Sequence, residues 1–225
     1  KVGMMSLVSE RGLSVALFFK LLLMLFTVIA SQLSYAGVWG EGKWGTMQWG
    51  EESEAPSCNT YGTSGAYVQK IFIAYLGRPA APAGLQYYAN YLDGDNAGGK
   101  LILFDDLYYS TEAEALYRTS TLADQINQFY QFMFSRDALS GGLNYWINQI
   151  NGGFFTVPAS AAYIADAASG PDMAILDAKQ VAASKISCAI GDDASKLSSF
   201  QANLAGARAS LAGITTAEEA EAYDG

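Results

Sequence analysis

The 225-residue sequence contains no histidine. That removes the commonest general base and the usual nitrogen ligand of metals, so a serine-histidine triad and any His-containing zinc site are excluded. Cysteine is nearly as scarce, with Cys58 and Cys188 alone, too few for a Cys-rich metal cluster. In an exported chain two cysteines predict one disulfide, Cys58 to Cys188, closing a loop worth roughly 4–5 kcal/mol in the chain-entropy model; two buried free thiols are the alternative. Positive charge is also short, with 13 Lys and Arg against 22 Asp and Glu and a formal net charge of −9. Such a surface repels nucleic acid and anionic lipid headgroups. Charged residues are few and aliphatic and aromatic residues abundant, which argues for a folded core over disorder.

What is present first is an uncharged apolar run, Leu21 to Ala30, preceded by Arg11 and Lys20 and followed by "SQLSYA" with small residues at Ser34 and Ala36. That order is a signal peptide's, and it predicts residues 1–36 as a leader cleaved between Ala36 and Gly37. The stretch Gly12 to Ala30 also admits a retained membrane anchor if Lys20 is tolerated. The opening Lys1, with Met4 and Met5 behind it, reads as translated upstream sequence. Loss of the leader would remove Lys1, Arg11 and Lys20 against Glu10 alone and deepen the acidic excess. The destination this implies is outside the cell or on its surface.

Residues 37–57 form a Trp/Gly-rich segment in which Trp39, Trp44 and Trp49 recur every five residues, each followed by glycine. Neither a helix face nor one side of a strand has that period. A Gly-rich hairpin or an extended arm fits it. Its three indoles are candidates for assembly or for stacking on a glycan, and folding back on the body is the plainer alternative.

The body, 58–225, carries an internal repeat over about 67–94 and 125–152. A shift of 58 residues places Arg78 on Arg136, Gly84 on Gly142, Leu85 on Leu143, Tyr87 on Tyr145 and Tyr88 on Trp146. Two copies of one helical unit explain this. Val68, Ile71, Phe72, Tyr75 and Leu76 recur at three- and four-residue spacing, as do Leu85, Tyr88 and Leu92, so each copy reads helix, turn, helix. Gly77 suits a left-handed C-cap, Pro82 opens the next helix, and Ser140 offers the corresponding cap in the second copy. The glycines at 84 and 142 weaken the helix, so a close approach by its partner is expected there. The repeated arginine admits a ligand clamp or, preferred here, a closing role: bonding the last carbonyls of the first helix and stacking on a tyrosine of the second.

Beyond the copies, Ser110 or Thr111 caps a helix with Glu112 and Glu114 inside it. Two Ala-rich helices meet at Gly170 and Pro171, "KLSSFQANLAGARASLAGI" reads as one helix ending near Gly213, and Thr215 or Thr216 caps a last short one. No long β-type alternation occurs, so the fold is predicted to be an all-α, compact domain built from two related helix-turn-helix repeats.

Adjacent acids (Glu51 and Glu52, Asp105 and Asp106, Asp192 and Asp193, Glu218 and Glu219) point about 100° apart on a helix and form no acid/base couple across one substrate. The stretch "DGDNAGG" places Asp93 and Asp95 like the start of a calcium loop, but its twelfth position is Phe104, where a bidentate glutamate is required, so the EF-hand reading fails. Asp93 and Asp95 stay as a weak calcium candidate beside an ordinary polar turn; no other metal or cofactor is expected.

The motifs "Y…LGR…P.GL.YY…L" and "Y…FSRDA…GLNYW…I", followed by "GPDMAILDAKQVAASKI", "ARASLAGIT" and "EEAEAY", resemble the domain of unknown function 4214 family, a helical repeat of bacterial secreted, surface-layer and adhesin-like proteins, and are similar to the unit of phycobilisome linker domains. The resemblance spans about Tyr67 to Tyr223. It implies a non-catalytic helical module displayed outside the cell. The chain departs from the family in carrying "KISCAI" where an aromatic-Thr-Glu cluster is common, and in ending soon after one module where many members continue into calcium-binding repeats. The function expected is a non-enzymatic structural or adhesive protein that assembles with itself into an oligomer or polymer or attaches to the cell surface or matrix. A carbohydrate-binding module using exposed Trp and Tyr is the alternative, and an enzyme the remaining one; a membrane contact is expected only through an uncleaved leader.

Overall fold

The structure is a computed structural model that describes residues 61–94 and 98–223. All belong to the unit Glu54–Gly225. The expected leader, Trp39, Trp44, Trp49, Cys58 and Asp95 lie outside the described residues. Within them every element is a helix.

The first copy consists of α1 (Gly62–Leu76), α2 (Pro82–Asp93), α3 (Gly99–Tyr108) and α4 (Thr111–Tyr117). The second consists of α5 (Leu122–Phe134), α6 (Ser140–Asn151), α7 (Val157–Asp166) and α8 (Pro171–Ile190). The 58-residue shift therefore carries α2 onto α6 and α3 onto α7 end for end. Then come α9 (Ala194–Ala202), α10 (Leu204–Ala212) and α11 (Ala217–Ala222).

Like helices of the two copies meet: α1 packs on α5 and α3 on α7. The α1 segment was expected to be amphipathic, with one apolar stripe. Instead Val68 to Leu76 is buried without a break except at Lys70, because α1 is enclosed by α2, α3, α4, α5, α7 and α8. A helix apolar all round must be buried all round, and Ile73 and Ala74 supply its second face. Rings fill the junction: Tyr75 lies 5.8 Å from Phe129 and 6.3 Å from Phe104, and Tyr117 packs edge-on against Phe129 at 5.5 Å.

Caps fix the helix ends. Ser110 Oγ accepts from Ala113 N at 3.1 Å, while Thr121 with Asp124 and Thr216 with Glu219 close capping boxes. Two expectations are corrected. Ser140 does not cap α6: it is the first helical residue, and Leu139 at the cap position makes no side-chain bond. The single helix expected over "KLSSFQANLAGARASLAGI" is broken at Asn203, whose Oδ1 accepts from Gly206 N at 2.9 Å. An asparagine that satisfies the next turn's N–H competes with helix continuation, and Gly206 makes room, since a Cβ there would strike the Asn203 side chain.

Gly84 and Gly142 face aromatic rings of the preceding helix, not its backbone. An added Cβ would lie 3.5 Å from Phe72 Cζ and 3.4 Å from the Tyr130 hydroxyl. That is ordinary contact, so the expected close approach of helix on helix is not what places glycine there.

Candidate functional site

The repeated arginines sit in the turns that leave α1 and α5. Arg78 Nε and Nη2 donate to the Glu112 carboxylate at 2.9 and 2.7 Å, and its Nη1 donates to Pro79 O at 2.7 Å. Arg136 repeats this, with Nε and Nη2 on the two Asp172 oxygens at 2.9 and 2.5 Å and Nη1 on Asp137 O at 2.8 Å. The guanidinium carbons lie 5.3 Å from the Phe72 ring and 5.2 Å from the Tyr130 ring. Amides repeat as well: Gln69 Oε1 accepts from Ala80 N at 2.9 Å and Asn127 Oδ1 from Ala138 N at 3.1 Å.

Each arginine thus ties its turn to the first turn of the fourth helix of its own copy. The closing role expected from sequence has different partners from those expected. The carbonyl is in the turn, the ring belongs to the preceding helix, and the dominant contact is a bidentate carboxylate. Glu112 and Asp172 were legible in the sequence only as first-turn acids of helices.

The copies differ in what covers this clamp. Over the first, Phe200 of α9 stacks on Arg78 at 5.7 Å, and Arg208 of α10 donates through Nη2 to Glu112 and through Nε to Leu76 O at 2.8 Å. Side-chain exposure is 11% and 15% for Arg78 and Glu112, but 36% and 23% for Arg136 and Asp172.

The other recurring positions divide. Leu85 is buried and Leu143 half-buried, and Trp146 donates from Nε1 to the Tyr130 hydroxyl at 3.1 Å. Tyr87 and Tyr145 instead point outward, 57% and 51% exposed, each set edge-on against its neighbour, Tyr88 at 4.9 Å and Trp146 at 5.0 Å. Sequence grouped them with the residues that close the fold; their side chains close nothing.

Lys179 is fully buried on α8, donating to Phe132 O in the last turn of α5 at 2.7 Å. Sequence reasoning missed it, since one Lys among alanines carries no pattern. Burial pushes its amine down to about 8. Burial raises the hydroxyls of Tyr67, Tyr75, Tyr88 and Tyr117 and the carboxyl of Asp177. The exposed caps Asp124 and Glu219 lie low because Thr121 and Thr215 donate to them.

These shifts set a pH profile. Unfolded Lys179 keeps its proton up to its ordinary value of 10.5 while the folded amine sheds it near 8, so stability rises with pH across that window. Above the ordinary tyrosine value of 10.0 the unfolded chain loses protons that the folded chain keeps, and stability falls. Urea denaturation across the alkaline range should show this maximum, and Lys179→Met should erase the rising limb and leave the fall.

An open hollow of about 580 Å³ lies between the start of α1 and the start of α3, lined by Ser64, Tyr67, Leu92, Lys100 and Leu101. Lys100 Nζ sits 4.4 Å from the centre of the Tyr67 ring. Asp93, one of the two calcium candidates, accepts from Ser64 Oγ. Among the described residues no group of three or more acids or cysteines is placed to hold a metal, and no helix is long and apolar enough to cross a membrane. Cys188 is disulfide-bonded; the sequence's other cysteine, Cys58, is outside the described residues.

The model of the family described as "Domain of unknown function (DUF4214)" matches residues 105–157. Over residues 105–157 the chain is similar to the DUF4214 family. The match runs from the end of α3 through α4, α5 and α6 to the first residue of α7. It holds the second clamp's arginine, the α6 motif Gly142, Leu143, Tyr145 and Trp146, and Glu112 of the first clamp. Arg78 and α1 fall outside the DUF4214 match, and their likeness to it rests on the internal repeat. No curated protein and no solved structure matches the chain.

Proposed function

We propose that the chain is a non-enzymatic structural or adhesive subunit, exported from a bacterial cell, that assembles with copies of itself or attaches to the cell surface or extracellular matrix through exposed aromatic side chains. The observation that carries this reading is the fate of the duplicated residues. Arg78 and Arg136, the candidate ligand clamps, are engaged by carboxylates of the fold itself, while Tyr87 and Tyr145 are presented to solvent at equivalent places on α2 and α6. A ring exposed at the same site in both copies supplies no closure, and exposed aromatic rings are what anchor partners. The chemistry the clamps offer is poor for catalysis, since both carboxylates are already engaged by guanidinium forks of the fold itself.

The test combines electron microscopy of the extracellular fraction with the double variant Tyr87→Ser, Tyr145→Ser. Polymers or surface-bound material are expected for the natural chain, and the variant should keep its helical content yet bind the surface at least about tenfold more weakly. Unchanged retention would remove these tyrosines from the reading. The alternative, a carbohydrate-binding module, is supported by the same outward rings. Tyr145 packs edge-on against Trp146, so a sugar stacking there would alter tryptophan fluorescence, which titration with soluble glycans would detect.

A further inference from the structure

Charges carried by α2 and α3 in the first copy are absent from α6 and α7 in the second. Between Asp137 and Asp166 the sequence has no Asp, Glu, Lys or Arg, although the chain as a whole is strongly acidic. The 58-residue shift sets Asn151 on Asp93, Pro158 on Lys100 and Tyr163 on Asp105. On α6, which packs on α5 and α7, the side chains of Tyr145, Asn148 and Asn151 are exposed.

One strip of α6 carries a ring at each end and an amide between. Tyr145 stands at one end, and Gly152 comes seven residues, or about 10 Å, further along the same side of the helix. An added Cβ on Gly152 would lie 3.1 Å from the ring of Phe154, which is therefore seated at the other end. The turn holding it is fixed by Gly153 N donating to Ile150 O and Phe154 N to Gln149 O, both at 3.0 Å. An apolar side chain at this place commonly packs on the last helical turn; this one nonetheless remains 74% exposed. Asn148 lies between the rings, three residues after Tyr145 and four before Gly152. Among the described residues no hydrogen bond engages its side-chain amide. The first copy lacks this strip: Tyr87 has the Tyr91 ring stacked on it at 6.3 Å where the second copy has Gln149, and the residue paired with Phe154 is Asn96.

We propose that the strip formed by Tyr145, Asn148 and Phe154 binds a neutral polysaccharide, and that the second copy alone does so. The C–H faces of pyranose rings are apolar and stack on aromatic rings, while the hydroxyls at their edges exchange hydrogen bonds with an amide, which both donates and accepts. Two rings about 10 Å apart with an amide between them suit a chain of linked sugars. An anionic glycan would find no cation on the strip, and an apolar protein face would leave the amide unpaired. The inference rests on the reading of the chain as attached to a surface or matrix, and it names what that matrix offers.

Isothermal titration of the full chain with cellohexaose and with dextran, both neutral glucans, tests this, with alginate as the anionic control. At least one glucan should bind, equally well at low and high salt, and alginate should not. Tyr145→Ser and Phe154→Ser should each weaken binding at least about tenfold, while Tyr87→Ser should leave it unchanged. Circular dichroism verifies that the variants remain folded, and glutamine replaces serine where one does not. The inference is overturned if neither glucan binds, if alginate binds as tightly, if binding survives both Tyr145→Ser and Phe154→Ser, or if Tyr87→Ser weakens it as much as Tyr145→Ser. Retention of the natural chain on cells with neither glucan bound would sink this inference and leave the attachment reading standing; glucan binding at the strip with no retained or polymeric material would do the reverse.

Discussion

Replacing Glu112 with alanine lowers the stability of the folded chain by about 3–5 kcal/mol, because it strips the partner from the buried guanidinium of Arg78 and the half-buried one of Arg208 at once. Arg78 and Arg208 both converge on that carboxylate, and α9 and α10 shield it from water. Asp172→Ala in the other copy removes the partner of a single arginine that is about a third exposed, and exposure discounts such a pair to about 1 kcal/mol or less. Chemical denaturation of the two variants side by side checks the difference. Equal losses would mean that α10 adds nothing to the first clamp. Arg78→Ala should likewise cost more than Arg136→Ala.

Gly77→Ala is the second large effect, at about 2–5 kcal/mol. Gly77 closes α1 at φ 65° with its N–H on Ile73 O, a left-handed conformation that costs an L-residue roughly 1–2 kcal/mol. A Cβ there would also overlap the Phe132 ring of α5, and overpacking adds a further 1–3 kcal/mol, roughly. The equivalent position in the second copy is Ser135, already in the left-handed region at φ 55° and bonded only weakly through Oγ to Ala212 O at 3.4 Å. Ser135→Gly should therefore raise stability, by up to about 1 kcal/mol. Thermal melts of both variants test the pair of opposite signs.

The helical class and the duplication were legible because they rest on local signals: apolar spacing in α1, Pro82 at the start of α2, Gly77 at the end of α1, and the caps at Ser110 and Thr216. What was not legible depends on distant residues. Glu112 and Asp172 lie 34 and 36 positions from their arginines, and first-turn acids occur on any helix. Arg208 reaches Leu76 O across 132 positions. The outward Tyr87 and Tyr145 were grouped with the closing residues because recurrence in a repeat marks what both copies need without saying whether they need it inside or outside. Asn203 was passed over because "KLSSFQANLAGARASLAGI" has good helix formers on both sides, and only the bond from Gly206 reveals the break.

The packing of α1 on α5 and α3 on α7 joins the halves by their most apolar surfaces. Neither half has a sealed interior of its own, so residues 61–223 should melt as one cooperative body, and a chain cut in the stretch between α4 and α5 should yield pieces that persist only by finding each other again.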